Sequence, residues 1–297
     1  MDTINNYLKN LLASQELKPE QEQTLQAHKA EVTNFLRAEF GEDPKIKYAG
    51  SHEKGTMIRE NYDLDIVCYF PSTDTRSLKE IRDDVSSHLS KKYVLQDKAS
   101  AERIMNLKDA SVPQGYHIDV VPGRFIEGSD DVFIHVAYGE KERMQTNLKT
   151  HIKHIAESGC VPVIRLVKVW AHRKNVHIKT FILELFVVEA LKGYQSKSDL
   201  KASFLKVMEA FKEKFGNLQL VDPANPTGNV VSRTISSSDK TMAASAGEEA
   251  FNQINGSDDL SDWKEVFGDQ NSGGYESARM TPTGPTIISN PPGQWAQ

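Results

Sequence analysis

Two aspartates one residue apart, Asp63 and Asp65, stand in the run Tyr62-Asp63-Leu64-Asp65-Ile66-Val67-Cys68-Tyr69-Phe70, shortly after Gly50-Ser51. The run reads as a strand, where alternate side chains share a face, so both carboxylates project from one side about 7 Å apart. Leu64, Ile66 and Cys68 take the other phase or the buried end. Two acids side by side in an apolar strand repel each other and lose hydration, so a cation belongs between them. Hard oxygen ligands on a rigid strand suit Mg²⁺ or Mn²⁺. The plainer alternative is a pair of solvated acids on an edge strand, or partners for Arg59 and Lys54.

A chain of 297 residues can bury a large core and forms two lobes or one bilobal domain. Its net charge of −5 gives no general pull on nucleic acid, and no long basic track is visible. Cys68 and Cys160 are too few for a disulfide framework or a thiolate zinc site, which fits a reduced cytoplasmic protein. The start, Met1-Asp2-Thr3-Ile4, lacks the basic and apolar regions of a secretory signal. Glu184 and Glu189 interrupt the most apolar stretch, 181–191, so no membrane span is expected.

Residues 19–40 read as one amphipathic helix stopped by Gly41. A strand over 45–49, the acidic strand over 62–70 and a helix over 76–93 follow. Further strands fall at 101–107, 116–121 and 131–137. From 147 onward the pattern is helical, over 147–158, 161–174, 179–194 and 198–215. Strands and helices mix first and helices dominate later, which predicts an α/β (α+β) fold. Residues 269–297 are rich in Gly, Pro, Ser, Thr and Asn and are expected to form a disordered tail.

Three pieces should converge. Gly50-Ser51, followed by Gly55-Thr56, presents backbone N–H groups and a hydroxyl at a turn that feeds a helix, an arrangement suited to a triphosphate. Asp63 and Asp65 are the second piece. Asp119, alone among apolar residues in Tyr116-His117-Ile118-Asp119-Val120-Val121, is the third. A strand beside the first would bring Asp119 to Asp63 and Asp65, giving three carboxylates for two metal ions; otherwise Asp119 is a salt-bridge partner for Arg103 or Arg124. Two divalent ions about 4 Å apart activate an attacking hydroxyl and neutralise a leaving pyrophosphate. Asp119 is then placed to draw the proton from that hydroxyl.

Among other residues, Lys168 lies inside an apolar helix and needs a partner, and Glu184 or Glu189 on the next helix can supply one. Trp170 belongs to the core. His151 and His154 read as a solvated helix face rather than a zinc site. The Asp222-Pro223-Ala224-Asn225-Pro226 loop reads as structural, with Asp and Asn bonding local backbone.

The Gly-Ser turn, the acid-x-acid strand and the later third acid resemble the polymerase-β-type nucleotidyltransferases, in the pieces AGSHEKGTMIRENYDLDIVCYF (49–70), HIDVVP (117–122), MQTNLKTHIKHI (144–155), VIRLVKVWAHRKN (163–175), KTFILELFVVEAL (179–191) and DPANPTGNV (222–230). Within them the chain looks most like the CD-NTases, bacterial relatives of cyclic GMP-AMP synthase and oligoadenylate synthetase, over most of residues 40–268. The resemblance implies a mixed sheet with flanking helices in a catalytic lobe at 1–145, a helical lobe at 146–268, and a flexible tail at 269–297. It implies catalytic and metal-binding roles for Asp63, Asp65 and Asp119, and triphosphate binding by Gly50 and Ser51. Lys168 is implied to reach the β- and γ-phosphates, with Thr180 in the place of a phosphate-binding Ser or Thr. The implied cofactor is a pair of Mg²⁺ or Mn²⁺ ions, and the substrates are NTPs, ATP and GTP foremost.

The implied reaction joins NTPs into a cyclic di- or oligonucleotide second messenger that activates a separate effector in anti-phage (CBASS-type) defence. The alternative is the same chemistry on an RNA 3′ end or a protein side chain, as in AMP transferases. In some such systems an E1/E2-like ligase modifies the synthase through its C-terminal tail; residues 269–297 either serve that purpose or have no role.

Overall fold

The computed structural model describes residues 3–105, 112–113, 115–138, 141–225 and 227–268. Helix α1 (Thr3–Ser14), absent from the sequence reading, buries Ile4, Leu8 and Leu11 along one stripe. Helix α2 (Pro19–Phe40) starts with a proline in its first turn, where no amide hydrogen is needed. It ends at Gly41, whose φ of 68° an L side chain resists. Strand β1 (Lys45–Tyr48), the single-turn helix α3 (Gly50–Glu53) and strand β2 (Leu64–Phe70) carry the expected turn and acidic run. Helix α4 (Leu78–Ser90) opens on a capping box, Ser77 with Glu80.

Strands β3 (Val94–Asp97), β4 (Glu102–Met105), β5 (Ile118–Phe125), β6 (Val132–His135) and β7 (Arg143–Thr146) complete a seven-stranded mixed sheet, in which five strands run in the order β1-β2-β5-β4-β3 and β6, paired with β5, carries β7. Strands β2 and β5 run parallel, with Asp65 opposite Asp119; the other pairings are antiparallel. The first half of β5 pairs with β4 and its last two residues pair with β6, so the strand bearing Asp119 is interior. Strand β2 lies between β1 and β5, which corrects the alternative of an acidic edge strand. Leu64, Ile66 and Cys68 pack under α2 and α4, whereas Val67 and Tyr69 join Val132 and Ile134 on the opposite face.

Helices α5 (Leu148–Ser158), α6 (Val161–Arg173), α7 (Thr180–Ala190), α8 (Leu200–Lys214), α9 (Ser237–Ile254) and α10 (Leu260–Val266) surround a second core. Trp170 is buried there against Phe211, as expected. Helix α1 packs into this helical core although it precedes the sheet in sequence. The segment between α3 and β2 docks onto it too. Arg173 pairs through two bonds with Glu60 at 2.6 and 2.8 Å, and Arg165 donates to the Met57 carbonyl at 3.1 Å. No helix among the described residues is long and apolar enough to cross a membrane. Residues 269–297, and with them the expected tail, lie outside the described residues.

Candidate active site

Parallel pairing decides where the acids go. Because Asp65 and Asp119 are register partners on β2 and β5, their side chains leave the same face of adjacent strands. Asp63 sits one residue before β2, beside His117, whose carbonyl accepts the Leu64 amide at 3.1 Å. His117 Nδ1 donates to the Gly115 carbonyl at 2.9 Å, which leaves Nε2 facing the acids. Nε2 lies 3.3 Å from Asp63 Oδ2 and 3.8 Å from Asp119 Oδ2, and it is buried without a well-formed hydrogen bond. The sequence reading assigned His117 no role; its two-residue spacing from Asp119 in a strand was the available signal.

Gly50 has a structural reason to be glycine. Its φ is +59°, and a Cβ there would fall 1.6 Å from Asp65 Oδ2. The turn therefore presses its backbone against the acid. Burial first, then Asp63 and Asp119, push the Asp65 carboxyl up to about 7. Burial also opposes the charge on Asp63, yet His117, Lys168 and Arg103 hold its carboxyl below the usual range. Burial likewise disfavours the charged His117, but Asp63, Gly115 and Asp119 raise its imidazole above its ordinary value.

Asp119 makes a two-pronged ion pair with Arg103, Nε to Oδ1 and Nη2 to Oδ2, both at 2.8 Å. So one plainer alternative, the Arg103 partner, holds alongside the convergence of the acids. Among the described residues no cluster of His, Cys, Asp and Glu forms a ready-made metal cage. The donor set nonetheless fits a hard divalent cation. Three carboxylates share one corner, Asp65 holds a proton far above the usual range, and the His117 nitrogen between two acids is unsatisfied.

A cleft of about 230 Å³ opens beside the acids, lined by Ser51, Asp63, His117, Lys168 and Thr180, with Asn175 and His177 at its α6–α7 end. Four of the predicted site residues thus share one wall system. Ser51 is buried and Thr180 opens α7. Lys168 ends in a buried cluster: Nζ donates to the Thr56 carbonyl at 2.9 Å, to Thr56 Oγ1 at 3.1 Å and to Glu184 Oε1 at 2.8 Å. Glu184, rather than Glu189, is the partner its sequence context required.

Two expectations outside the cleft resolve differently. His151 is no solvated-face residue, because its Nε2 lies 2.6 Å from the buried Asp222 carboxylate. Only the folded chain brings α5 to that loop. Asp222 also accepts from the Ala224 amide at 2.8 Å and from Asn229 Nδ2 at 3.0 Å, so the loop is structural as read.

A mixed sheet that sets alternating acids against a Gly-Ser turn, with a helical half walling the cleft, is the polymerase-β type of nucleotidyltransferase fold, and the chain has that fold. No family model matches it. It is 25% identical over 260 residues to the cyclic AMP-AMP-AMP synthase of Escherichia coli (strain MS 115-1), covering 74% of this chain and 81% of that enzyme. In fold it resembles CdnC of E. coli MS115-1, solved with HORMA-deltaN, at a TM-score of 0.68 and 18% identity over 90% of this chain and 98% of the other. It also resembles the Bradyrhizobium diazoefficiens CD-NTase CdnG, solved with GTP, at a TM-score of 0.71 and 14% identity, covering 91% and 96% of the two chains. The chain is thus similar to CD-NTases in sequence and in fold.

Proposed function

We propose that this protein is a metal-dependent synthase that joins nucleoside triphosphates into a cyclic di- or oligonucleotide. The observation that carries the reading is that Asp65 and Asp119 are register partners on adjacent strands and act on one another together with Asp63, which lines a cleft shared with Ser51, Lys168 and Thr180. The likeness to a cyclic AMP-AMP-AMP synthase supports a cyclic product over transfer to RNA or protein. The acidic net charge agrees, since a long RNA acceptor calls for a basic track.

In this reading Asp63, Asp65 and Asp119 hold two divalent cations, Mg²⁺ or Mn²⁺, which supply charge neutralisation at the reacting phosphate and a more acidic attacking hydroxyl. Ser51 donates its hydroxyl to a phosphate oxygen, with Gly50 allowing the backbone to approach. The Lys168 ammonium and the Thr180 hydroxyl bind the β- and γ-phosphates. A ribose hydroxyl of a second nucleotide attacks the α-phosphorus, the bond to the β-phosphate oxygen breaks, and pyrophosphate leaves. Asp119, oriented by Arg103, accepts the hydroxyl proton. A second round on the linear product, turned round in the same cleft, closes the ring. The product serves as a second messenger for a separate effector in CBASS-type defence.

The test is incubation of purified protein with labelled ATP, GTP, CTP and UTP and Mg²⁺ or Mn²⁺. Phosphatase-resistant product formed without added acceptor is the expected result. Label on the protein or on added RNA, or no turnover with any mixture, overturns it. Mass spectrometry of the product then gives bases and ring size.

A further inference from the structure

Glu184 is fully buried on α7, yet it is placed beside the cleft rather than deep in the helical core. Its Oε1 accepts from Thr56 Oγ1 at 2.5 Å and from Lys168 Nζ at 2.8 Å, while its Oε2 pairs with Lys54. One carboxylate therefore faces two ammonium groups, both themselves nearly buried. Burial alone would raise the Glu184 carboxyl, but Lys168 and Lys54 hold it at about 2, so it is an anion at any working pH. Burial and the neighbouring Lys54 weigh against the charge on Lys168 despite Glu184.

Within this buried cluster two cations contact one anion, and the nearest further negative charge, Asp63, stands in the cleft lining and acts on Lys168 through space rather than by contact. A structural ion pair needs one lysine. The second makes sense where another anion arrives, and Lys168 lines the cleft. The two lysines also come from different parts of the fold, Lys54 just after α3 and Lys168 from the middle of α6. Glu184 thus holds the segment that follows the Gly50-Ser51 turn against the helical core.

We propose that Glu184 is a positioning residue that stores Lys54 and Lys168 beside the cleft as a partly neutralised pair, and that the triphosphate of the incoming nucleotide completes the charge balance in competition with it. This rests on the cleft being the triphosphate site. Glu184 touches no reacting atom. Its carboxylate sets how strongly the two ammonium groups attract the β- and γ-phosphates, and it keeps them close in the empty protein.

The test measures binding of the α,β-methylene analogues of ATP and GTP with Mg²⁺, which cannot release pyrophosphate, with AMP as the control lacking β- and γ-phosphates. Glu184→Gln keeps an acceptor and removes the competing charge, so it should bind an analogue about tenfold tighter than the parent. Lys54→Met removes the surplus cation and should bind about tenfold weaker. AMP affinity should be unchanged in both. Analogue affinities equal to the parent's in both variants, or lowered in both, overturn the proposal, because a merely structural anion gives no opposed pair of shifts. If Glu184→Gln does not fold, unchanged analogue binding by Lys54→Met decides against it alone. A parent protein that binds neither analogue more tightly than AMP removes instead the reading of the cleft as a triphosphate site.

Discussion

Arg103 and Asp119 face each other across β4 and β5 and share two hydrogen bonds of 2.8 Å. The guanidinium fork fixes the carboxylate plane and offsets part of the negative charge that Asp63, Asp65 and Asp119 bring to one corner. Arg103→Gln should therefore split two quantities. The Mg²⁺ concentration for half-maximal activity should fall, because the corner becomes more negative, while kcat should drop roughly ten- to a hundredfold through loss of orientation. Metal titrations of initial rate check this, and a rise in the Mg²⁺ requirement would contradict it.

Removing an acid outright should be more severe. Asp63→Ala and Asp119→Ala should each slow pyrophosphate release by about two to four decades, the scale of transition-state stabilisation that bound metal supplies. Each change relieves repulsion on Asp65 but also removes a partner, of His117 for Asp63 and of Arg103 for Asp119, so fold and rate are read together. Circular dichroism with product chromatography reads both effects; a variant within a few-fold of the parent rate excludes that acid from the chemistry.

Gly50→Ala combines two penalties. The position has φ of +59°, and the new Cβ would collide with Asp65 Oδ2 at 1.6 Å. The left-handed backbone alone costs about 1–2 kcal/mol, before Asp65 is displaced. A melting temperature lowered by several degrees and nearly abolished turnover are expected. An unchanged melt would mean that the turn relaxes freely.

The metal-free protein should lose stability as pH rises toward neutrality. The Asp65 carboxyl is moved from 3.8 to about 7 in the folded chain, so folding favours its protonated form. That contribution is complete below the unfolded value and is lost as pH passes about 7. His117, also raised, acts in the same direction, with its contribution lost above its own elevated value. Thermal melts in chelator should fall between about pH 4 and 7, the span from the unfolded to the folded Asp65 value, and added Mg²⁺ should restore stability at the upper end, where it replaces the proton. Asp65→Asn should flatten the profile; a parent melt that rises across this range without metal would rule out the assignment.

Asp222→Ala should affect folding rather than turnover. Asp222 is 2% exposed and serves His151, the Ala224 amide and Asn229, so its loss strands buried donors. A cost of about 1–3 kcal/mol in urea denaturation is expected, with the rate of the remaining folded enzyme near the parent's.

Local chemistry explains what could be read early. The nearly continuous apolar run over 64–70 marks a strand buried on both faces, helical spacing marks α2 and α6, and Gly41 marks where a helix stops. The Gly-Ser turn and the two-residue spacing of Asp63 and Asp65 are likewise local. By contrast, α1 was missed, since its short stripe of Ile4, Leu8 and Leu11 gains meaning only against the distant helical core. Strands β3 and β7 fall outside the expected strands, because VLQD and RMQT carry too few apolar residues to mark a buried strand.

What the order of residues determined by itself is which groups carry charge, which stretches must be buried, and where the backbone needs glycine. Those properties depend on near neighbours along the chain. Tertiary structure alone decided that β2 and β5 run parallel in register, so that Asp65 meets Asp119, that Arg103 rather than Arg124 takes Asp119, and that Glu184 gathers two lysines. Each of those relations joins segments 16 to 130 positions apart. Their energies come from desolvated charges at short range, which exist only once the chain has closed around them.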